Sequence, residues 1–183
     1  WLRCCLITQN GELMGDEGVV GYKYAHVIIV SVNERKERVT GRLAPEGVRM
    51  HTQGIPASGR EQRMMGVALE AAKTAADRGD IPVGAVIFDE QGEPVASAAN
   101  YRHEGTDPTG HAEILAIREA CQKIGERMLT RHTLVVTLEP CVMCAGVILA
   151  ARIPTVMFGA WDEKAGAAGS VLDLLRDARL PYP

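Results

Sequence analysis

At 183 residues, 46% of them hydrophobic, the chain is long enough for one well-cored domain. Its formal charge of −3 counts against an RNA binder, because phosphate contacts need Lys and Arg. Residues 1–63 carry 9 basic and 7 acidic side chains and residues 64–183 carry 11 and 16, so neither half hides a basic surplus and only a local basic groove remains open.

Residues 1–63 read as an extension. Within it, Ala25–Val32 is β-branched and apolar, as a strand should be, and Gly54–Gly59 reads as linker. The extension is expected to be poorly ordered at least in part and to be a tail of little function, consistent with an over-long gene start, since Met50, Met64 and Met65 stand just upstream of the α/β part of the chain. A functional alternative is an RNA-binding arm built on Arg35, Lys36, Arg38, Arg42 and Arg49.

Residues 64–183 then alternate as an α/β domain does. Glu61–Arg78 has helical spacing, with Met65, Ala68, Leu69, Ala72 and Ala76 three and four apart. Pro82–Asp89 and Pro94–Ala99 are short strands around a Gln91-Gly92-Glu93 turn. Asp107–Gly110 is a turn that leads into a helix over His111–Lys123. Thr133–Leu138 is a buried strand, Cys141–Ala151 a helix, Thr155–Gly159 a strand and Ser170–Arg176 a short helix.

The chemistry concentrates in two strings, His111-Ala112-Glu113 and Glu139-Pro140-Cys141-Val142-Met143-Cys144. Cys141 and Cys144 are i and i+3, so a helix opening after Pro140 turns both sulfurs to one side. The free N–H groups and dipole of that helix start favour thiolate, the form that binds metal. One His nitrogen and two Cys sulfurs are an ordinary zinc set. No second CxxC or His pair offers a fourth ligand, so the count points to a catalytic site completed by water. Glu113 is then free to carry protons between that water and a leaving group.

The pairing of H-x-E with P-C-x-x-C is the signature of zinc-dependent nucleobase deaminases. From Met64 to Ser170 the chain resembles the bacterial tRNA-specific adenosine deaminases. The matching strings are Ile81–Val86, Asp107–Ile114, Thr137–Gly146, Phe158–Asp162 and Lys164–Ser170. The last of these favours tRNA adenosine over free guanine or cytidine.

The resemblance implies a three-layer α/β/α cytidine-deaminase-like fold with a central mixed sheet, and one Zn2+ per chain held by His111, Cys141 and Cys144. It implies deamination of the wobble adenosine of tRNA to inosine, with Glu113 catalytic, Asn100 on the base and Asp162 near the ribose. The implied partners are a tRNA anticodon stem-loop and a second copy in a homodimer.

The family continues past the position of Pro183 into a last strand and a basic, aromatic helix, so the sheet is expected to keep an uncovered edge. Gly110 and Tyr101 stand where the family has Ala and Arg. The alternative substrate is a free base or nucleotide of guanine, cytosine or cytidine type; a non-catalytic zinc module is the third reading.

The remaining signals are bland. Glu139 reads as a helix-start carboxylate without a catalytic role. His51, His103 and His132 read as surface residues, and His26 as a core histidine. Cys121 reads as a small buried hydrophobe. Arg152 and Lys164 are candidates for phosphate contact. Few cysteines without a disulfide pattern fit a reducing cytoplasm. Gln9, Asn10 and Gly11 rule out a signal peptide at the start, and the longest apolar run, Cys141–Ala151, is far short of the roughly 20 residues that span a bilayer.

Overall fold

The structure is a computed structural model, and it describes residues 26–32, 55–56, 58–102, 105–177 and 179–180. Strand β1 (His26–Ser31) and the two-residue β2 (Ile55–Pro56) precede helix α1 (Gly59–Asp77). Strands β3 (Gly84–Phe88) and β4 (Pro94–Ala99), helix α2 (Ala112–Ile124), strand β5 (Thr133–Leu138), helix α3 (Val142–Ala150) and strand β6 (Thr155–Ala160) come next. The sheet runs β2-β1-β6-β5-β3-β4. Only β5 and β6 are parallel, and the crossover between them is α3. The other pairs are antiparallel, which makes the sheet mixed.

Strand alternation assigns the two faces. Val86, Phe88, Val135 and Met157 pack with Met64, Met65 and Ala68 of α1. The intervening residues Ala85, Ile87, Leu134, Val136, Val156 and Phe158 pack with α2 and α3. Side chains at successive strand positions point to opposite faces, so one run of apolar residues serves both layers. The result is the expected three-layer α/β/α architecture with both cysteine and histidine helices on the same side. The first layer sits close: a Cβ on Gly84 would overlap the backbone of Ala68 and Ala72, so this glycine is what lets α1 lie directly on β3.

Several element boundaries differ from expectation. The Gly54–Gly59 stretch is not plain linker, because Ile55 and Pro56 pair with Val27 and His26. Ser58 caps α1 in a reciprocal box with Glu61: the Ser58 hydroxyl accepts from the Glu61 N–H and the Glu61 carboxylate accepts from the Ser58 N–H. The edge beside β6, expected to stay open, carries β1, with Ile28 to Ser31 opposite Phe158 to Thr155. Val30 and Val32 of that segment are buried among the α2–α3 layer.

Residues 170–176 form no helix. Their amides turn back instead, Leu172 donating to the Gly166 carbonyl at 3.1 Å and Leu174 to that of Ala167 at 2.9 Å. The basic residues of the possible RNA arm, Arg35 to Arg49, lie outside the described residues, as do His51, His103 and the side chain of His26. Among the described residues no helix is long and apolar enough to cross a membrane.

Candidate active site and zinc centre

The site forms where two helices begin. His111 is the N-cap of α2 and Cys141 the N-cap of α3, both with extended backbone. An Asp107 turn delivers the first: Asp107 Oδ1 accepts from the Thr109 N–H at 2.8 Å and its hydroxyl at 2.7 Å, and Gly110 N–H donates to the Asp107 carbonyl. Strand β5 delivers the second through Glu139 and Pro140.

Nδ1 of His111 lies 3.5 Å from Cys144 Sγ and 3.7 Å from Cys141 Sγ, and the three ligand atoms fall within 4.8 Å of one another. A tetrahedral zinc with bonds of about 2.05 Å to nitrogen and about 2.3 Å to sulfur sets N···S separations of roughly 3.5 Å. The trio therefore fits the ion without rearrangement. Among the described residues it is the one His/Cys/Asp/Glu group with that geometry, and Glu113 is not part of it.

The protons in the metal-free site follow from the contacts. Hydrogen bonds from the Cys144 thiol and from His111 hold Cys141 as thiolate, lowering its pKa to about 4. The same bond to Cys141, with burial, keeps the proton on Cys144. His111 is pushed up by its bond to the Cys141 sulfur. Glu113 is 3% exposed, and that burial raises its carboxyl above the usual range while it shares a hydrogen bond with Cys144.

Asn100, expected on the base, is 4% exposed at the end of β4. Its Oδ1 accepts the Ala112 N–H at 2.9 Å. Since an amide N–H is a donor, that bond fixes which end of the side chain is oxygen and leaves Nδ2 as the donor available to a substrate. The Asn100 carbonyl accepts from Arg78, whose guanidinium lies 5.6 Å from the Tyr101 ring centre. Asp162 is placed on the far side, in a turn where its Oδ1 accepts from the Lys164 and Ala165 amides at 3.0 and 3.2 Å.

Contrary to expectation, Glu139 does not serve the start of α3. It is 2% exposed and faces segment 162–170, accepting from the amides of Asp162, Ala168 and Ser170. No spacing rule announces those partners, 23 to 31 residues away. His132 is also half-buried rather than on the surface, with Nδ1 enclosed and without a hydrogen bond, at the end of β5 remote from the zinc ligands. Cys121 is a half-buried free thiol whose pKa burial raises, in line with an apolar role. Arg152 lies past the C-terminal end of α3, opposite Cys141, whereas Lys164 belongs to the segment beside the site.

Comparison with known proteins agrees with this chemistry. Residues 58–160 match the family described as the cytidine and deoxycytidylate deaminase zinc-binding region. The tRNA-specific adenosine deaminase of Bacillus subtilis is 42% identical over 123 residues, covering 67% of this chain and 76% of that protein. A protein named tRNA(Ile)-lysidine synthase in Deinococcus radiodurans is 48% identical over 124 residues, 68% of this chain but only 21% of that protein's length.

Among solved structures, one from a study of A-to-I editing by tRNA:A34 deaminases at the wobble position superposes with a TM-score of 0.59. It is 39% identical and covers 66% of this chain and 84% of that one. A guanine deaminase from Bacillus subtilis gives a TM-score of 0.54 at 35% identity, covering 60% and 69%. With more than half its length matched and its three zinc ligands assembled, this chain belongs to the zinc-dependent cytidine and deoxycytidylate deaminase family, in the group of the tRNA-specific adenosine deaminases.

Proposed function

We propose that the chain catalyses hydrolytic deamination of adenosine to inosine at the wobble position of tRNA. The observation that carries this reading is Glu113: a buried carboxyl, raised above the usual carboxylate range, beside a three-ligand zinc set that it does not join. Bound zinc supplies a Lewis acid that lowers the pKa of a coordinated water from about 15.7 to roughly 7.

The chain's own groups do the rest. The target base must leave its stack to enter the site. Asn100 Nδ2, oriented by the bond from Ala112 to Oδ1, donates to an acceptor on the base. Glu113 takes a proton from the attacking water and delivers one to the departing amine, so that adenosine and water give inosine and ammonia. Asp162 and Lys164 stand where the ribose and phosphate of the edited nucleotide would lie.

Replacing Glu113 by Ala is expected to lower kcat by about a thousandfold or more with one zinc still bound. Retained activity refutes the proton-carrier role, and loss of metal makes Glu113 a ligand.

The likeness to a guanine deaminase and the net charge of −3 favour a second reading, deamination of a free base or nucleotide. Segment 162–170 favours RNA, and direct assay separates the two. The enzyme acts as a homodimer in the reducing cytoplasm. Helix α3 supports the dimer: it has no polar side chain, and Val142, 50% exposed, shares its open face with Gly146 and Ala150. A chain that sediments as a monomer at micromolar concentration contradicts it.

A further inference from the structure

Glu139 takes no part in the proposed reaction, yet it is among the most enclosed polar side chains at the site. A buried carboxylate is costly unless hydrogen-bond donors meet its lone pairs. Here three backbone amides of one segment meet them: Asp162 to Oε2 at 3.0 Å, and Ala168 and Ser170 to Oε1 at 2.9 and 3.0 Å.

The segment is also tied to the zinc-ligand turn. Cys141 and Gly166 form an antiparallel bridge, and the Ala167 N–H donates to the Pro140 carbonyl at 2.8 Å. It closes on itself through the Ser170 hydroxyl, which donates to the Asp162 carbonyl at 2.8 Å. A Cβ on Gly166 would overlap the Glu139 carboxylate and the Ser170 hydroxyl, so the backbone is laid directly on the acid.

We propose that Glu139 is a positioning residue: its carboxylate holds segment 162–170 beside Cys141, so that Asp162 and Lys164 meet the sugar and phosphate of the bound nucleotide. The inference rests on the RNA substrate reading above. A glutamine in its place has the same shape but turns an NH2 toward a donor, so it can satisfy the carbonyl-side amides and not all three. The segment then loosens while the ligand turn keeps its own backbone bonds.

The test uses the zinc-loaded full chain, an anticodon stem-loop as substrate, and the variant Glu139→Gln. The expected result is a rise in KM of about tenfold, the scale of one lost charge-assisted hydrogen bond, with kcat changed less than about threefold. Zinc stays at one per chain, and amide exchange quickens in 162–170. Ser170→Ala, which removes only the closing hydroxyl, gives the same pattern more weakly and remains informative if Glu139→Gln does not fold.

An active wild type whose Glu139→Gln and Ser170→Ala variants keep their KM and exchange rates overturns the inference alone, as does a loss confined to kcat or to zinc. A wild type inactive on the stem-loop overturns the substrate reading and this inference with it.

Discussion

At the residue scale, the metal-free site holds its protons in a definite pattern. Cys141 is thiolate at neutral pH because its pKa lies at about 4, while Cys144 is held as thiol and His111 is biased toward its protonated form. Zinc binds thiolate and neutral imidazole, so loading expels the Cys144 proton and whatever proton His111 carries. Both raised groups bind protons more readily as pH falls, so zinc affinity falls too, by about tenfold per pH unit for each proton released. Calorimetric titration of zinc into the metal-free chain at pH 7, in buffers of different ionisation enthalpy, is expected to show at least one proton released per zinc. Proton-neutral binding would contradict the assignment.

At the element scale, the legible parts were those with local causes. Pro94–Ala99 and Thr133–Leu138 emerge with the bounds read from sequence, because turns and polar residues bracket short apolar runs. His111 and Cys141 were expected at helix starts and are N-caps. What was not legible depends on distant partners. Residues 170–176 lose their helix because Leu172 and Leu174 find the carbonyls of Gly166 and Ala167. Glu139 answers to amides more than twenty residues later. Ser58 and Glu61 did carry a readable capping-box signal, hidden among linker-like neighbours.

Strand β1 is the element whose role composition describes least well. Val30 and Val32 are 3% and 5% exposed, and the Val32 N–H donates to the Pro154 carbonyl at 2.8 Å. Burying two valines contributes about 3 kcal/mol or more. We propose that residues 26–32 are structural, whatever the rest of the extension does. Deleting residues 1–57 is expected to lower stability by that amount in denaturant melts and to promote association through the exposed edge of β6. An unchanged midpoint would mean the sheet does not need β1.

At the scale of the whole molecule, chemistry and charge pull in different directions. The zinc trio, the buried Glu113 and the Glu139-anchored segment suit a deaminase that grips a nucleotide within a polymer. The net charge of −3 gives little general attraction for RNA, so binding must come from local contacts and show a shallow salt dependence. The central claim is the substrate. Inosine formation in an anticodon stem-loop carrying a wobble adenosine, measured beside ammonia release from guanine and cytidine with the same zinc-loaded chain, tests it most directly. The account predicts turnover of the stem-loop, abolished by zinc chelation, and none of the free compounds. Turnover of guanine or cytidine with the RNA left unedited would contradict it.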